Sequence, residues 1–311
     1  MELVERERNC WRAARRLGGG LLLAWLGDGS FGAAAATWPD ARPLTRLGFE
    51  TIELRRTEQH HLFVSGRANG RRVSCLVDTG WSFTTVQPGK GVTAAAIAAL
   101  RLGRVTFTNQ PARVEAIQFN RQPASFDLVL GLDFLRQHSA VLDCGRRRLF
   151  TRPASHADEA TSDLATVLGQ AGFRELPMRL KAPPALTVTA VVNGERVELL
   201  VDSGAVWSCL DQRQVARLGL QPQNSTTRIT GAGATGIRPV AVANVKSLQL
   251  GDVELKGTML ALLDLADWGF AAPEQTLGEV QGILGGDLLA ALNAAIDCQR
   301  LKLWIKPRTR R

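Results

Sequence analysis

The 311-residue sequence predicts a mostly β protein built from two similar halves related by a pseudo-twofold duplication. One observation is texture: short Val, Leu and Thr runs separated by Gly and Asn recur along the chain, and stretches of helical period are few. A second is a repeated string, Leu76-Val77-Asp78-Thr79-Gly80 and Leu200-Val201-Asp202-Ser203-Gly204. The third is the register kept around those strings.

Asn69-Gly70 precedes the first aspartate and Asn193-Gly194 the second, and both pairs share an offset of 124 positions (202 − 78 and 193 − 69). Asn-Gly between alternating apolar residues is a strong hairpin signal, because both turn positions favour positive φ. Each half therefore reads as strand, tight turn, strand, with the aspartate at the end of the second strand. Further on, Val129-Leu130-Gly131-Leu132-Asp133 matches Ile283-Leu284-Gly285-Gly286-Asp287, and Asp143-Cys144 matches Asp297-Cys298, at an offset of 154 (285 − 131, 297 − 143). A constant register over such lengths marks an internal duplication. Leu100 to Val105 aligns with Leu248 to Val253 at an offset of 148, so most of the second half's extra length falls before that point. The added stretch holds a short helical pattern, Leu210 to Leu218, and a glycine-rich run, Gly231 to Gly236.

Taken in chain order, residues 1–44 read as a signal-like or disordered segment. Arg12, Arg15 and Arg16 form a basic region, Leu17 to Leu26 an apolar one, and Ala33 to Ala36 a small-residue stretch, which is the order of a secretory signal. The expected location is periplasmic or secreted, with the cytoplasm as the alternative and an N-terminal anchor as the sole route to a membrane. Residues 45–152 form the first lobe. Residues 153–175 read as a linker with a short helix from about Asp163 to Ala171, and 176–311 form the second lobe.

Composition narrows the function classes. Lys and Arg number 38 against 29 Asp and Glu, a net charge of +9. No nucleic-acid motif and no interleaving of basic with aromatic residues accompanies that charge, so nucleic acid is not an expected partner. Five cysteines, an odd count, argue against a disulfide framework and read as small buried hydrophobes. His60, His61, His138 and His156 lack ligand-like spacing, so neither a metal nor any other cofactor is expected.

The chemistry lies in the paired aspartates. Gly80 and Gly204 allow the chain to turn sharply after each strand, and the hydroxyls of Thr79 and Ser203 can tie down backbone in that turn. If the halves pack about a twofold axis, Asp78 and Asp202 meet on it. Two like charges about 4 Å apart repel by roughly 4 kcal/mol at an effective dielectric of 20, or about three pKa units. One carboxyl then keeps its proton, and the pair can serve as general acid and general base around a water.

These strings, each followed by an apolar-apolar-Gly string, resemble aspartic peptidases of the retropepsin and pepsin type. The continuations Gly131-Leu132-Asp133-Phe134-Leu135 and Gly285-Gly286-Asp287-Leu288-Leu289 look most like bacterial retropepsin-like domains. The resemblance spans roughly residues 58–152 and 176–306 and implies two retropepsin-like β-barrel lobes in one chain. It implies Asp78 and Asp202 as the catalytic pair, supported by Thr79, Gly80, Ser203, Gly204, Gly131 and Gly285. It also implies a peptide or protein substrate, a monomer, and a flap, for which the run containing Gly231, Ala232, Gly233 and Ala234 is the candidate. Trp81, Trp207 and Phe83 are candidate cleft walls. Trp81 departs from the family's small residue and reads equally as a pocket former or as core packing. Asp133, Asp143, Asp287 and Asp297 read as caps and turn formers. Two other functions fit the same residues: a peptide-binding pseudopeptidase, and a subunit whose halves pair between chains.

Overall fold

The computed structural model describes residues 42–90, 92, 96–119, 121–152, 161–182, 184–231, 237–265 and 280–306. The segment read as signal-like lies outside them up to residue 41, as do residues 232–236 of the candidate flap.

Each half contains the expected hairpin. Leu62–Ala68 pairs with Arg71–Val77, and Ala185–Val192 with Glu195–Val201. The turns hold Asn69 and Gly70 at φ 48° and 83°, and Asn193 and Gly194 at 50° and 93°. Positive φ at both central positions suits the right-handed twist of the flanking strands. The apolar residues that end each second strand, Cys75 to Val77 and Leu199 to Val201, are buried on both faces. A short strand runs parallel to each: Leu128–Leu130 beside Cys75 to Val77, and Gly282–Leu284 beside Leu199 to Val201.

The duplication extends to individual ladder partners. Arg67 faces Arg101 as Val191 faces Gln249, and Thr85 faces Arg113 as Cys209 faces Ala261. The second half adds an antiparallel hairpin, Pro222–Ile229 against the start of Arg238–Leu250, where Arg228 pairs with Pro239 and Ile229 with Arg238. These arms flank the glycine-rich run.

A six-stranded layer joins the halves, in the order Glu50–Glu53, Arg148–Thr151, Val141–Asp143, Ala295–Asp297, Lys302–Ile305, Arg174–Lys181. At its centre Val141 pairs with Asp297, Leu142 with Ile296 and Asp143 with Ala295. Leu142 and Ile296 are equivalent positions of the repeat (296 − 142 = 154), so the pseudo-twofold axis passes between them. Side chains alternate across this layer. Leu142 and Ile296 face the main core shared by both halves. Val141 and Ala295 face a second cluster containing Leu44, Phe49, Phe150, Leu164, Leu168, Phe173 and Trp304. The helix Thr161–Gln170, within the segment read as a linker, supplies Leu164 and Leu168 to that cluster.

One expected helix is absent. Leu210 to Leu218 begins as a buried strand, Cys209–Asp211, and continues into a single 3-10 turn, Gln212–Gln214. Leu210 is held between Gly282 and Leu262, so sheet pairing overrides the helical spacing. The Asp211 carboxylate accepts the Arg213 N–H at 2.9 Å, and Gly219, at φ 60°, ends the segment.

Cys75, Cys144, Cys209 and Cys298 are buried free thiols. Cys144 N–H bonds to Ala294 O and Cys298 N–H to Ala140 O. This register sets the two residues four positions apart along the ladder, roughly 13 Å, well beyond the span of a disulfide.

Candidate active site

Asp78 and Asp202 both emerge from buried strand ends into the space between the halves, and they are only 7% and 8% exposed. Each aspartate N–H completes its parallel ladder, Asp78 to Leu130 O and Asp202 to Leu284 O, both at 3.1 Å. Asp78 Oδ1 accepts Gly80 N–H at 2.8 Å, and Asp202 Oδ1 accepts Gly204 N–H at 2.8 Å and Ala205 N–H at 3.0 Å. The two carboxyl groups share a hydrogen bond. Each glycine lies under the opposite aspartate: a Cβ on Gly80 would run into the Asp202 carboxyl, and one on Gly204 into that of Asp78.

The neighbouring hydroxyls cross between the halves. Ser203 Oγ accepts Thr79 N–H at 3.0 Å and donates to Val77 O at 2.9 Å. Thr79 Oγ1 accepts Ser203 N–H at 3.0 Å and donates to Val201 O at 2.7 Å. Thr79 and Ser203 are equivalent positions (203 − 79 = 124), so this exchange marks a second point on the axis. Sequence reasoning gave these hydroxyls a local role; each in fact caps backbone of the other half. All four partners are buried, where an unpaired peptide group would be costly.

Gly131 and Gly285 support the loops from below. A Cβ on Gly131 would sit 2.6 Å from Phe83 C, and one on Gly285 2.7 Å from Trp207 C. Asp133 and Asp287 each bind the next helical N–H, Phe134 and Leu288, at 2.7 Å. They also accept from Thr84 and Ser208, through both backbone N–H and hydroxyl, at 2.6 to 2.9 Å. Those hydroxyls in turn accept Gly131 N–H and Gly285 N–H. Thr84 and Ser208 were missed from sequence, although each lies six residues after its aspartate and in register.

Trp81 faces its own half. Its indole N–H donates to Thr85 Oγ1 at 2.9 Å, and its ring packs beside the buried cluster of Leu76, Ile117, Phe126 and Val129. Phe83 carries the Arg113 guanidinium over its ring at 3.6 Å, and Trp207 is 37% exposed. Gly231 lies two residues beyond the arm Pro222–Ile229; Ala232, Gly233 and Ala234 lie outside the described residues.

Burial pushes the Asp78 carboxyl well above the usual carboxylate range, and the charge of Asp202 pushes it further. Burial also raises Asp202, opposed by its hydrogen bond from Asp78; two backbone N–H groups oppose the rise at each carboxyl, Gly80 and Trp81 at Asp78, Gly204 and Ala205 at Asp202. Both carboxyls are thus harder to ionise than a free aspartate, and the pair can keep one proton between them.

Comparison with known proteins finds one family model, over about a third of the chain. Residues 188–288 match the aspartyl protease family. That segment starts within the strand Ala185–Val192 and ends just past Asp287, so it includes Asp202, Ser208 and Gly285. Among solved structures, a retropepsin-like aspartic protease from Rickettsia conorii is similar at 20% identity, covering 43% of this chain and 92% of that one, with a TM-score of 0.33. The aspartic proteinase from Irpex lacteus is similar at 12% identity over 84% of this chain and 98% of its own, TM-score 0.47. Basic 7S globulin from soybean gives 10% identity over 83% and 95%, TM-score 0.47. No curated protein sequence matches.

Proposed function

We propose that the protein is an aspartic endopeptidase that hydrolyses peptide bonds with a water activated between Asp78 and Asp202. The observation that carries this reading is the reciprocal seat of the two carboxyls: hydrogen-bonded to each other, each over the opposite half's glycine. Asp202 takes a proton from the water as its oxygen adds to the scissile carbonyl carbon. Asp78 gives its proton to the carbonyl oxygen, forming a neutral gem-diol. Asp202 then returns its proton to the amide nitrogen while Asp78 takes one from a gem-diol hydroxyl, and the C–N bond breaks to release the amine and the carboxylic acid with both aspartates restored. No covalent intermediate is needed.

An extended peptide is the substrate shape that suits a seam between two sheets, with the hairpin Pro222–Ile229/Arg238–Leu250 as the element to close over it. Because one chain supplies both aspartates, the active species is a monomer, and its expected setting is the periplasm or the exterior.

The test is peptide cleavage by wild type, Asp78→Asn and Asp202→Asn across acidic to neutral pH. Each single substitution is expected to reduce turnover to background. Undiminished cleavage by either variant would refute the pair. Binding without cleavage by wild type would identify a peptide-binding pseudopeptidase, and sedimentation of the active form as a dimer would refute the monomer.

A further inference from the structure

The segment preceding each half's first hairpin reaches across the seam. His60 and Pro184 are equivalent positions (184 − 60 = 124), as are His61 and Ala185. From the second half, Pro184 O accepts Ser82 Oγ–H, on the loop after Asp78, at 2.9 Å. The mate of Ser82 is Val206, which has no hydroxyl, so that bond has no symmetry counterpart. Its place is taken from the first half by a side chain: His61 Nε2 lies 2.8 Å from Gly204 O, on the loop that follows Asp202. His60, at φ 63°, packs its Cβ and carbonyl where a Cβ on Gly286 would stand, at 2.9 and 3.3 Å. The His61 ring is braced edge-on against Phe63 at 6.3 Å, and its carbonyl accepts Thr57 N–H at 3.0 Å.

From this asymmetry we infer that His61 is a positioning residue, clamping the Asp202 loop from the opposite half and biasing Asp202 to be the ionised member of the pair. The inference rests on the peptidase reading for its catalytic meaning, though not for its structural test. Gly204 O can only accept, so Nε2 carries a proton whichever charge the ring has. The charged groups facing His61 are Asp202 across the seam and His60 on its own turn; His60 in turn faces Asp287 and Arg56. Burial lowers the His61 pKa, opposed by the Gly204 bond and by Asp202. Below that pKa the imidazolium stands beside the Asp202 carboxylate and favours its ionisation. The sign follows: without the ring's charge, Asp202 ionises at higher pH, and the acidic limb of activity moves up. Asp78 has no such cation among the described residues, and Ala185 occupies the position equivalent to His61.

The experiment uses the full chain with 13C-labelled aspartate carboxyls, titrated by NMR in wild type, His61→Gln and His61→Ala, beside pH profiles of kcat and KM on a peptide substrate. Glutamine can still donate to Gly204 O but carries no charge. In both variants the Asp202 titration step is expected to rise by about half to one pH unit. His61→Ala is also expected to lose about tenfold in kcat with KM changed less than twofold. His61→Gln should recover most of that kcat while keeping the shifted acidic limb. An unchanged Asp202 titration in both variants would overturn the inference. If wild type cleaves nothing, the peptidase reading fails, while the titration still decides the role of His61.

Discussion

Replacing Ser203 by alanine tests the exchange of hydroxyls on the axis most directly. The substitution removes one oxygen and leaves two buried backbone groups without partners, the Thr79 N–H and the Val77 carbonyl. Stranding a buried peptide group costs about 1–3 kcal/mol. Two groups therefore cost about 2–6 kcal/mol, with the lower half of that range expected because a water can enter the space of the lost hydroxyl. Thr79→Ala strands Ser203 N–H and Val201 O in the same way, so symmetry predicts similar losses for the two variants. The control is Thr79→Ser, which keeps the hydroxyl and loses only a buried methyl, worth about 1 kcal/mol. Urea unfolding of the four proteins, compared by midpoint at constant slope, gives the numbers. Losses below about 1 kcal/mol in both alanine variants, or a control as unstable as they are, would refute the argument.

Gly131→Ala and Gly285→Ala should each cost about 1–3 kcal/mol or more, because the new Cβ meets backbone of Phe83 or Trp207 rather than a movable side chain; thermal melts check this. Leu142→Ala, on the axis of the central layer, should cost about 2–5 kcal/mol by urea unfolding. Burial raises the Asp143 carboxyl to about 6. A raised carboxylate binds protons more tightly in the folded state, so its contribution is intact near pH 4 and declines as pH rises through about 6. Asp143→Asn should accordingly gain on wild type between pH 4 and pH 7, by about 3 kcal/mol at most, in paired urea titrations at the two pH values. Cleavage should fall as pH rises through the upper step of the Asp78–Asp202 pair, because Asp78 must hold its proton; a rate still climbing after both carboxyls have ionised would contradict this assignment.

The hairpins were legible because Asn69-Gly70 and Asn193-Gly194 specify local backbone geometry that needs no tertiary help. The pairing partners of the strands were legible only as equivalences: the offset of 154 relates Leu142 to Ile296 but cannot say that they face each other. The destinations of the Thr79 and Ser203 hydroxyls were not legible, since a short polar side chain bonds whatever backbone the fold brings near. Thr84 and Ser208 could have been found, being matched polar residues six positions beyond matched aspartates. His61 had no such signal, because its counterpart is an alanine and its partner is a backbone carbonyl in the other half. Leu210 to Leu218 misled because three apolar positions at helical spacing also fit a buried strand followed by a turn.

The crossed bonds between Thr79 and Ser203 bear on how the chain is made as well as on how it stands. The first aspartate leaves the ribosome 124 residues ahead of the second. At roughly 5–20 residues per second this is a delay of about 6–25 s. During that interval Thr79 N–H has no Ser203 to cap it, and Asp78 has no opposing carboxyl. A nascent or half-folded chain therefore lacks the pair, which can form only after the second half has been made and has folded against the first.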